Sequence, residues 1–269
     1  RKTKDGIKRV FSLRLIKMFE MTKDISVRVK TGVVLIIGML ILGYIDSYFL
    51  FWLVFGIMLM ISVHESKELY KLNSDSIYIY TLLLWVAVYF YPMPIDLIFI
   101  VAIGYASQLA YKRTLDKKLF LPLLYPTASF IFLMTLYSEY GVKVLLWLFV
   151  IVAATDIGAY FVGRSFGKTK FCETSPNKTL EGVFGGMAFA IILGTLTSIS
   201  EVGIIGAIIV SAVVSLSSVF GDLYESYLKR EAGVKDSGTI LPGHGGVLDR
   251  VDGYLFGAIT MVVLLRVII

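Results

Sequence analysis

Long apolar runs separated by short polar breaks cover almost the whole chain, and their lengths match membrane crossings. A helix needs roughly 20 mainly apolar residues to cross the hydrocarbon core, fewer where flanking side chains snorkel or the bilayer thins. By that measure the pattern predicts about nine spans, at 31–45, 48–63, 77–90, 95–111, 119–137, 142–162, 183–199, 202–220 and 251–269. The first four are short, and the first two, joined only by Asp46 and Ser47, could instead form a re-entrant pair. The expected fold class is all-α, a polytopic integral membrane bundle of helices.

The polar breaks differ in charge. Lys23, Arg28 and Lys30 precede the first run, and basic residues return in every second break: Lys67 and Lys71; Lys112, Arg113, Lys117 and Lys118; Arg164, Lys168, Lys170 and Lys178; Lys229, Arg230, Lys235 and Arg250. The breaks between hold Asp46, "YPMPID", "SEYGVK" and "SEVG". Short cytoplasmic loops collect Lys and Arg, so the basic loops are assigned to the cytoplasmic side of the cell inner membrane. The composition, 57% hydrophobic and 17% charged, agrees with a membrane protein. The net charge of +6 therefore sits on one face, where it answers to anionic lipid or an anionic substrate, and no nucleic-acid partner is expected. Cys172 is the sole cysteine, which excludes an intrachain disulfide and a cysteine metal cluster.

Three regions follow. Residues 1–24 form a basic extension, read equally well as an interfacial helix or a solvated tail, with Met21 a natural start. Residues 25–140 carry short spans with plain loops, and residues 141–269 carry the loops with unusual Gly, Asp and Lys spacing. Two apparent motifs fail. "GRSFGKT" at Gly163 has one residue too few between its glycines for a nucleotide-binding P-loop, and it follows an apolar span. "HESKE" lacks the second histidine of a zinc-protease helix, so His64 and Glu65 are expected at the interface rather than as ligands.

Another constellation survives. Where the eighth run ends, Asp222, Glu225, Ser226 and Lys229 recur at helical spacing along one side. A carboxylate near membrane depth is costly unless paired or hydrated, so Asp222 is a candidate metal ligand or lysine partner; the plainer alternative is snorkelling. Where the ninth run begins, Asp249 and Asp252 stand three apart at the positive end of a helix, facing the same way. With Asp222 they form a hard, oxygen-only donor set suited to magnesium. Gly243, Gly245 and Gly246 permit positive φ and let backbone amides approach an anion, while His244 either donates to a phosphate or holds the loop. Lys229, Arg230 and Lys235 add positive charge. In the sixth run Asp156 faces a polar interior, and Ser175, Lys178 and Thr179 precede a Gly-rich helix start as a phosphate-holding turn would. Lys178 and Glu181, three apart, could instead pair on one helix face.

The stretch from Ser226 to Asp252 resembles the signature of the phosphatidate cytidylyltransferases, also called CDP-diacylglycerol synthases. That signature reads Ser-x-hydrophobic-Lys-Arg, four residues, Lys-Asp, a small residue, Pro or Gly, His-Gly-Gly and Asp-Arg-hydrophobic-Asp. Ser226, Leu228, Lys229, Arg230, Lys235, Asp236, Gly238, Leu241, Pro242, His244, Gly245, Gly246, Val247, Asp249, Arg250, Val251 and Asp252 match it without departure. The block Ser175 to Gly182 is similar to the family as well, and the likeness covers the C-terminal half.

The resemblance implies a magnesium-dependent enzyme of phospholipid biosynthesis that converts phosphatidate and CTP into CDP-diacylglycerol and pyrophosphate in a polar cavity on the cytoplasmic side. It implies Asp222 and Asp249 as metal ligands with Asp252 third, and leaves a second cation open. Lys235, Lys229, Arg230 and Arg250 would neutralise phosphate charge; Lys178 and Ser175 would hold the nucleotide; His244, with Gly245 and Gly246, would touch the pyrophosphate. The catalytic set is then Asp249, Lys235, Asp222 and Arg250, the partners are CTP, phosphatidate and membrane lipid, and a homodimer is open. The alternatives are a cytidylyltransferase for another lipid phosphate and, in a different class, a membrane transporter, which the one-sided charge disfavours.

Overall fold

A computed structural model of the chain describes residues 29–112 and 116–269. The basic extension expected at 1–24, with Lys23, Arg28 and Arg113, lies outside the described residues. The described residues are helical apart from loops and two isolated β-bridges. In chain order the helices are α1 (Val29–Ile45), α2 (Tyr48–Leu69), α3 (Ser76–Phe90), α4 (Pro94–Lys112), α5 (Lys117–Tyr140), α6 (Val142–Phe166), α7 (Leu180–Leu196), α8 (Gly203–Ala232) and α9 (Leu248–Ile268). Six of them, α2, α4, α5, α6, α8 and α9, are long and apolar enough to cross a membrane; α1, α3 and α7 are apolar but shorter. The all-α membrane architecture read from the sequence is therefore found.

Several helices run past the apolar runs that predicted them. α2 continues from Val63 through Glu65 to Leu69, because its buried face, Phe55, Leu59, Ser62, Glu65, Ser66 and Leu69, keeps helical spacing across the polar residues. At 22 residues it can cross alone, without a re-entrant partner. α8 extends beyond Phe220 to Ala232 and ends at Gly233, whose φ of 80° closes the helix as its N–H donates to Arg230 O. α5 is broken at Tyr125, which is extended (φ −142°, ψ 114°), the geometry favoured for a residue before proline, here Pro126.

Contacts at both ends show that successive helices reverse direction. At one end Thr31 Oγ1 donates to Pro242 O, Lys71 Nζ to Glu231 O, and Glu65 of α2 meets the first residues of α9. At the other, Tyr137 Oη donates to Asp46, Trp147 Nε1 to Gly194 O, and Arg266 pairs with Glu139. The basic breaks thus gather at one end and Asp46 and Glu139 at the other.

Helices within a bilayer gain little from hydrophobic association and rely on close packing and hydrogen bonds. α6 and α7 meet along a seam of glycines. A Cβ at Gly186 would lie 2.6 Å from Thr155 O, and one at Gly158 would lie 2.8 Å from Phe189 Cβ. This contact brings the loop between α6 and α7 against the end of α8, where the site forms.

Candidate active site

Asp222 is placed by helix length. The apolar part of α8, Gly203 to Phe220, spans about 27 Å at about 1.5 Å per residue, close to a hydrocarbon core of about 30 Å, so the polar residues that follow emerge at the interface. There a cavity of about 420 Å³ opens between α6, α7 and α8. That is within the ~300–1,000 Å³ range of small-molecule sites. Asp156 and Thr155 line its inner part, Arg164, Asn177 and Lys178 lie toward the loop, and Asp222 closes one wall. Lys178 Nζ sits 2.6 Å from Asp222 Oδ2. Ser226 Oγ donates to Asp222 Oδ1 at 3.3 Å, in keeping with the helical face expected from the spacing.

The loop that carries Lys178 is held by its neighbours. Thr179 caps α7, its Oγ1 accepting from Gly182 N–H at 3.1 Å. Glu181 does not pair with Lys178. Its carboxylate accepts from Lys168 N–H (3.1 Å), Thr169 N–H (3.2 Å) and Thr169 Oγ1 (2.9 Å), folding the loop back on itself. Glu181 lies ahead of the apolar run of α7, and its own backbone N–H together with those of Lys168 and Thr169 holds its carboxyl down at about 2. Ser175 O accepts from Lys178 N–H at 3.0 Å, so Ser175 forms the turn before Lys178 but does not line the cavity.

The second cluster is built by the loop 233–247. Asp249 Oδ2 accepts from Ser237 N–H (2.8 Å), Ser237 Oγ (2.9 Å) and Gly246 N–H (2.8 Å), and Oδ1 lies 2.6 Å from Lys229 Nζ. Lys229 also lies 3.3 Å from Glu225 on its own helix. Gly243 and Gly245 have φ of 73° and 81°, as expected; the Gly246 amide is taken by Asp249. Arg250 Nε donates to His244 O (2.9 Å) and Arg230 Nη1 to Val234 O (3.3 Å), so both brace the loop through backbone carbonyls. The His244 ring lies by Pro242 O and faces α1 near Gly32. Lys235 is exposed and makes no ion pair among the described residues.

Asp249 and Asp252 diverge despite their spacing, since Asp249 turns back into the loop while Asp252 turns toward Glu225, Asp222 and Asp156, near enough for their charges to interact. Glu225 is fully buried, with Oε2 3.3 Å from Lys229 Nζ and its carboxyl beside that of Asp252. No three acidic or imidazole groups among the described residues already surround one point as a metal cage. The donor set nevertheless fits a hard cation. Asp156, Asp222, Glu225 and Asp252 bring oxygen donors into one region, and among the described residues ion-pair contacts reach only Asp222 and Glu225 of the four. Asp249 is engaged by Lys229 on Oδ1 and by the loop donors on Oδ2.

The structure thus joins Lys178 to Asp222 at the cavity and Lys229 to Asp249 beside it; Ser175, Arg230, Lys235, His244, Gly245, Gly246, Arg250 and Asp252, like Lys229 and Asp249, do not line the cavity. Sequence reasoning missed Glu65. It is 2% exposed, buried within the protein: Val247 N–H donates to Oε1 at 2.9 Å and Leu248 N–H to Oε2 at 2.7 Å, while Ser237 Oγ lies 3.2 Å from Oε2 and shares its single proton between Glu65 and Asp249. The available signal was its place on the buried stripe of α2. His64 is exposed, with Nδ1 2.7 Å from Tyr78 Oη.

Comparison with known proteins bears on this geometry. Residues 26–268 match the model of the cytidylyltransferase family. A Helicobacter pylori protein named phosphatidate cytidylyltransferase is 45% identical over 249 residues, covering 91% of this chain and 93% of the relative. The protein of that name from a second Helicobacter pylori strain is 44% identical over the same shares of each chain. The Bacillus subtilis phosphatidate cytidylyltransferase is 46% identical over 123 residues, 44% of this chain and 46% of its own length. With nearly its whole length matched by the family model, and with relatives alike from end to end, the chain belongs to the cytidylyltransferase family.

Proposed function

We propose that the chain is a phosphatidate cytidylyltransferase that transfers CMP from CTP to phosphatidate at the cytoplasmic face of the inner membrane. The observation that carries this reading is the cavity beyond the apolar part of α8, where Lys178 and Arg164 stand beside a group of carboxylates. Relatives of that name, similar over almost the full chain, support the substrates. In this reading α1, α3 and α7 cross the membrane with the six longer helices, making nine spans, and the end rich in Lys and Arg faces the cytoplasm. The chemistry is concentrated in residues 141–269.

A phosphatidate phosphate oxygen attacks the α-phosphorus of CTP, the α–β phosphoanhydride bond breaks, and pyrophosphate departs. The attacking oxygen is already anionic, so no strong general base is required. The barrier is the repulsion of two polyanions, and catalysis is chiefly positioning and charge neutralisation. Lys178, held over Asp222, is placed to receive nucleotide phosphate, with Arg164 on the same cavity wall. Lys229 holds Asp249, and Arg250 holds His244, so the signature loop is shaped before substrate arrives. Lys235 offers an exposed ammonium, without an ion-pair partner among the described residues, at the loop surface. Asp222 and Asp252, with Glu225, are the side chains that would hold Mg2+, with Asp249 available by exchange of Lys229; the ion would supply neutralisation of the transferring phosphate.

The test is incorporation of label from CTP radiolabelled at its α-phosphate into a lipid product by the purified full chain with magnesium. Label in lipid with phosphatidate is expected. Label only with a different lipid phosphate would reassign the acceptor, and none with any lipid phosphate would refute the reading.

A further inference from the structure

Glu65 is a buried carboxylate far in sequence from the signature loop, and its contacts account for features of that loop that the reaction alone does not. No cation lies within ion-pair distance of it among the described residues. A buried, unpaired carboxylate is costly unless strong donors surround it. Here the donors are the first N–H groups of α9, from Val247 and Leu248, with the Ser237 hydroxyl between Glu65 and Asp249. The N-terminal end of a helix 21 residues long adds its dipole.

Two loop glycines are shaped around the same carboxylate. A Cβ at Gly238 would lie 2.6 Å from Glu65 Oε1, and one at Gly246 would collide with Glu65 Oε1 and Ser237 Oγ. These positions therefore have to lack side chains for Glu65 to enter. The amides it binds flank those that bind Asp249. Ser237 touches both carboxylates, and Val247, bound by Glu65, follows Gly246, bound by Asp249. Moving Glu65 displaces the seat of Asp249, and with it Lys229.

We infer that Glu65 is a positioning residue of the transfer reaction, through which α2 sets the place of Asp249 and Lys229 by anchoring the signature loop to the start of α9. This rests on the proposed CMP transfer, and the experiment separates the two. The full chain is assayed for pyrophosphate release from CTP and phosphatidate with magnesium. A folded wild type that releases none overturns the proposed function, whatever Glu65 does. Glu65→Gln keeps the size of the side chain but turns an N–H toward one of the two helix amides. It should lower kcat by about 10- to 100-fold while leaving KM for both substrates within about threefold. Deuterium exchange at amides 237–248 should quicken, with that of α6 and α7 unchanged. Should Glu65→Gln not fold, Gly238→Ala takes its place, since it keeps the buried carboxylate and crowds it from the loop; the same loss of kcat is expected. A folded Glu65→Gln with wild-type kcat and unaltered exchange, or Gly238→Ala with wild-type kcat where Glu65→Gln fails to fold, overturns the inference.

Discussion

Asp249→Asn probes the pair on which the signature loop closes. Asp249 and Lys229 are 4% and 11% exposed in their side chains, so this is a buried ion pair. Asparagine keeps one acceptor. If it takes the place of Oδ2, the donors from Ser237 and Gly246 stay satisfied and an NH2 group faces the Lys229 ammonium, which in the wild type lies 2.6 Å from oxygen. The opposite rotamer leaves the Ser237 and Gly246 N–H groups without an acceptor, at about 1–3 kcal/mol each, and is worse. Removing one partner of a buried pair costs about 3–5 kcal/mol. Lys229 keeps Glu225 at 3.3 Å, so the lower end applies, about 3 kcal/mol. A total stability of about 5–15 kcal/mol absorbs that loss, and the variant should fold. Thermal unfolding in detergent should fall by about 6–12 °C, taking about 2–4 °C per kcal/mol for a chain of this size. Pyrophosphate release should fall at least about 100-fold, because the loop that seats Lys229 is displaced. Combined with Lys229→Met, the two changes should be non-additive by about 2 kcal/mol, since either one already breaks the pair. Additivity within about 0.5 kcal/mol, or wild-type turnover in Asp249→Asn, would refute the reasoning.

Lys178→Gln removes the ammonium from Asp222 at a partly open cavity wall, and steady-state kinetics should show KM for CTP raised about tenfold with little change in unfolding temperature. Glu181 contributes stability to the 168–179 loop that is fully present above its unfolded value near 4.5 and is lost as pH falls through about 2. Trypsin should therefore cut after Lys168 and Lys170 faster in Glu181→Gln than in wild type at neutral pH, and the protection of the wild-type loop amides relative to their intrinsic exchange rates should hold down to about pH 4 and fall below it. Gly186→Ala sets a methyl 2.6 Å from Thr155 O, a backbone atom that cannot rotate away, and should cost about 1–3 kcal/mol, read as a lower unfolding temperature in detergent.

Much of this architecture is legible in the chain because a bilayer punishes unpaired polar groups, so apolar runs and polar breaks mark helices and ends directly. The alternation of basic loops anticipated the end at which Thr31, Glu65, Lys178 and Asp222 meet. Helix extents were less legible. α8 runs on to Ala232 because leaving the hydrocarbon does not end a helix; Gly233, with its left-handed φ, does. Pairings across the fold were legible only in kind: Asp222 could be read as a lysine partner, but not which lysine it meets. Lys178 and Glu181 share a spacing that permits a local pair, but tertiary packing sets Lys178 against Asp222 and leaves Glu181 to the loop amides.

Asp249, Asp252 and Glu65 show why spacing alone misassigns carboxylates. Two acids three apart on an established helix share a face, yet Asp249 stands in the first turn, where free backbone donors of the preceding loop compete for it, whereas Asp252 lies one turn further in, accepts the Gly253 N–H at 2.7 Å and turns toward the side chains of Glu225, Asp222 and Asp156. Glu65 presents the converse case. In sequence it ends an apolar run beside Lys67 and Glu68, as an interfacial residue would, and nothing local reveals that the unpaired N–H groups of a helix beginning more than 180 residues later will be brought to it. The stripe of buried positions in α2 does extend to Glu65, and a carboxylate on such a stripe must have its donors supplied from elsewhere in the fold. That requirement could be read from the chain before the donors were known, and the glycines of the signature loop, which leave room for a side chain they do not themselves provide, are its counterpart.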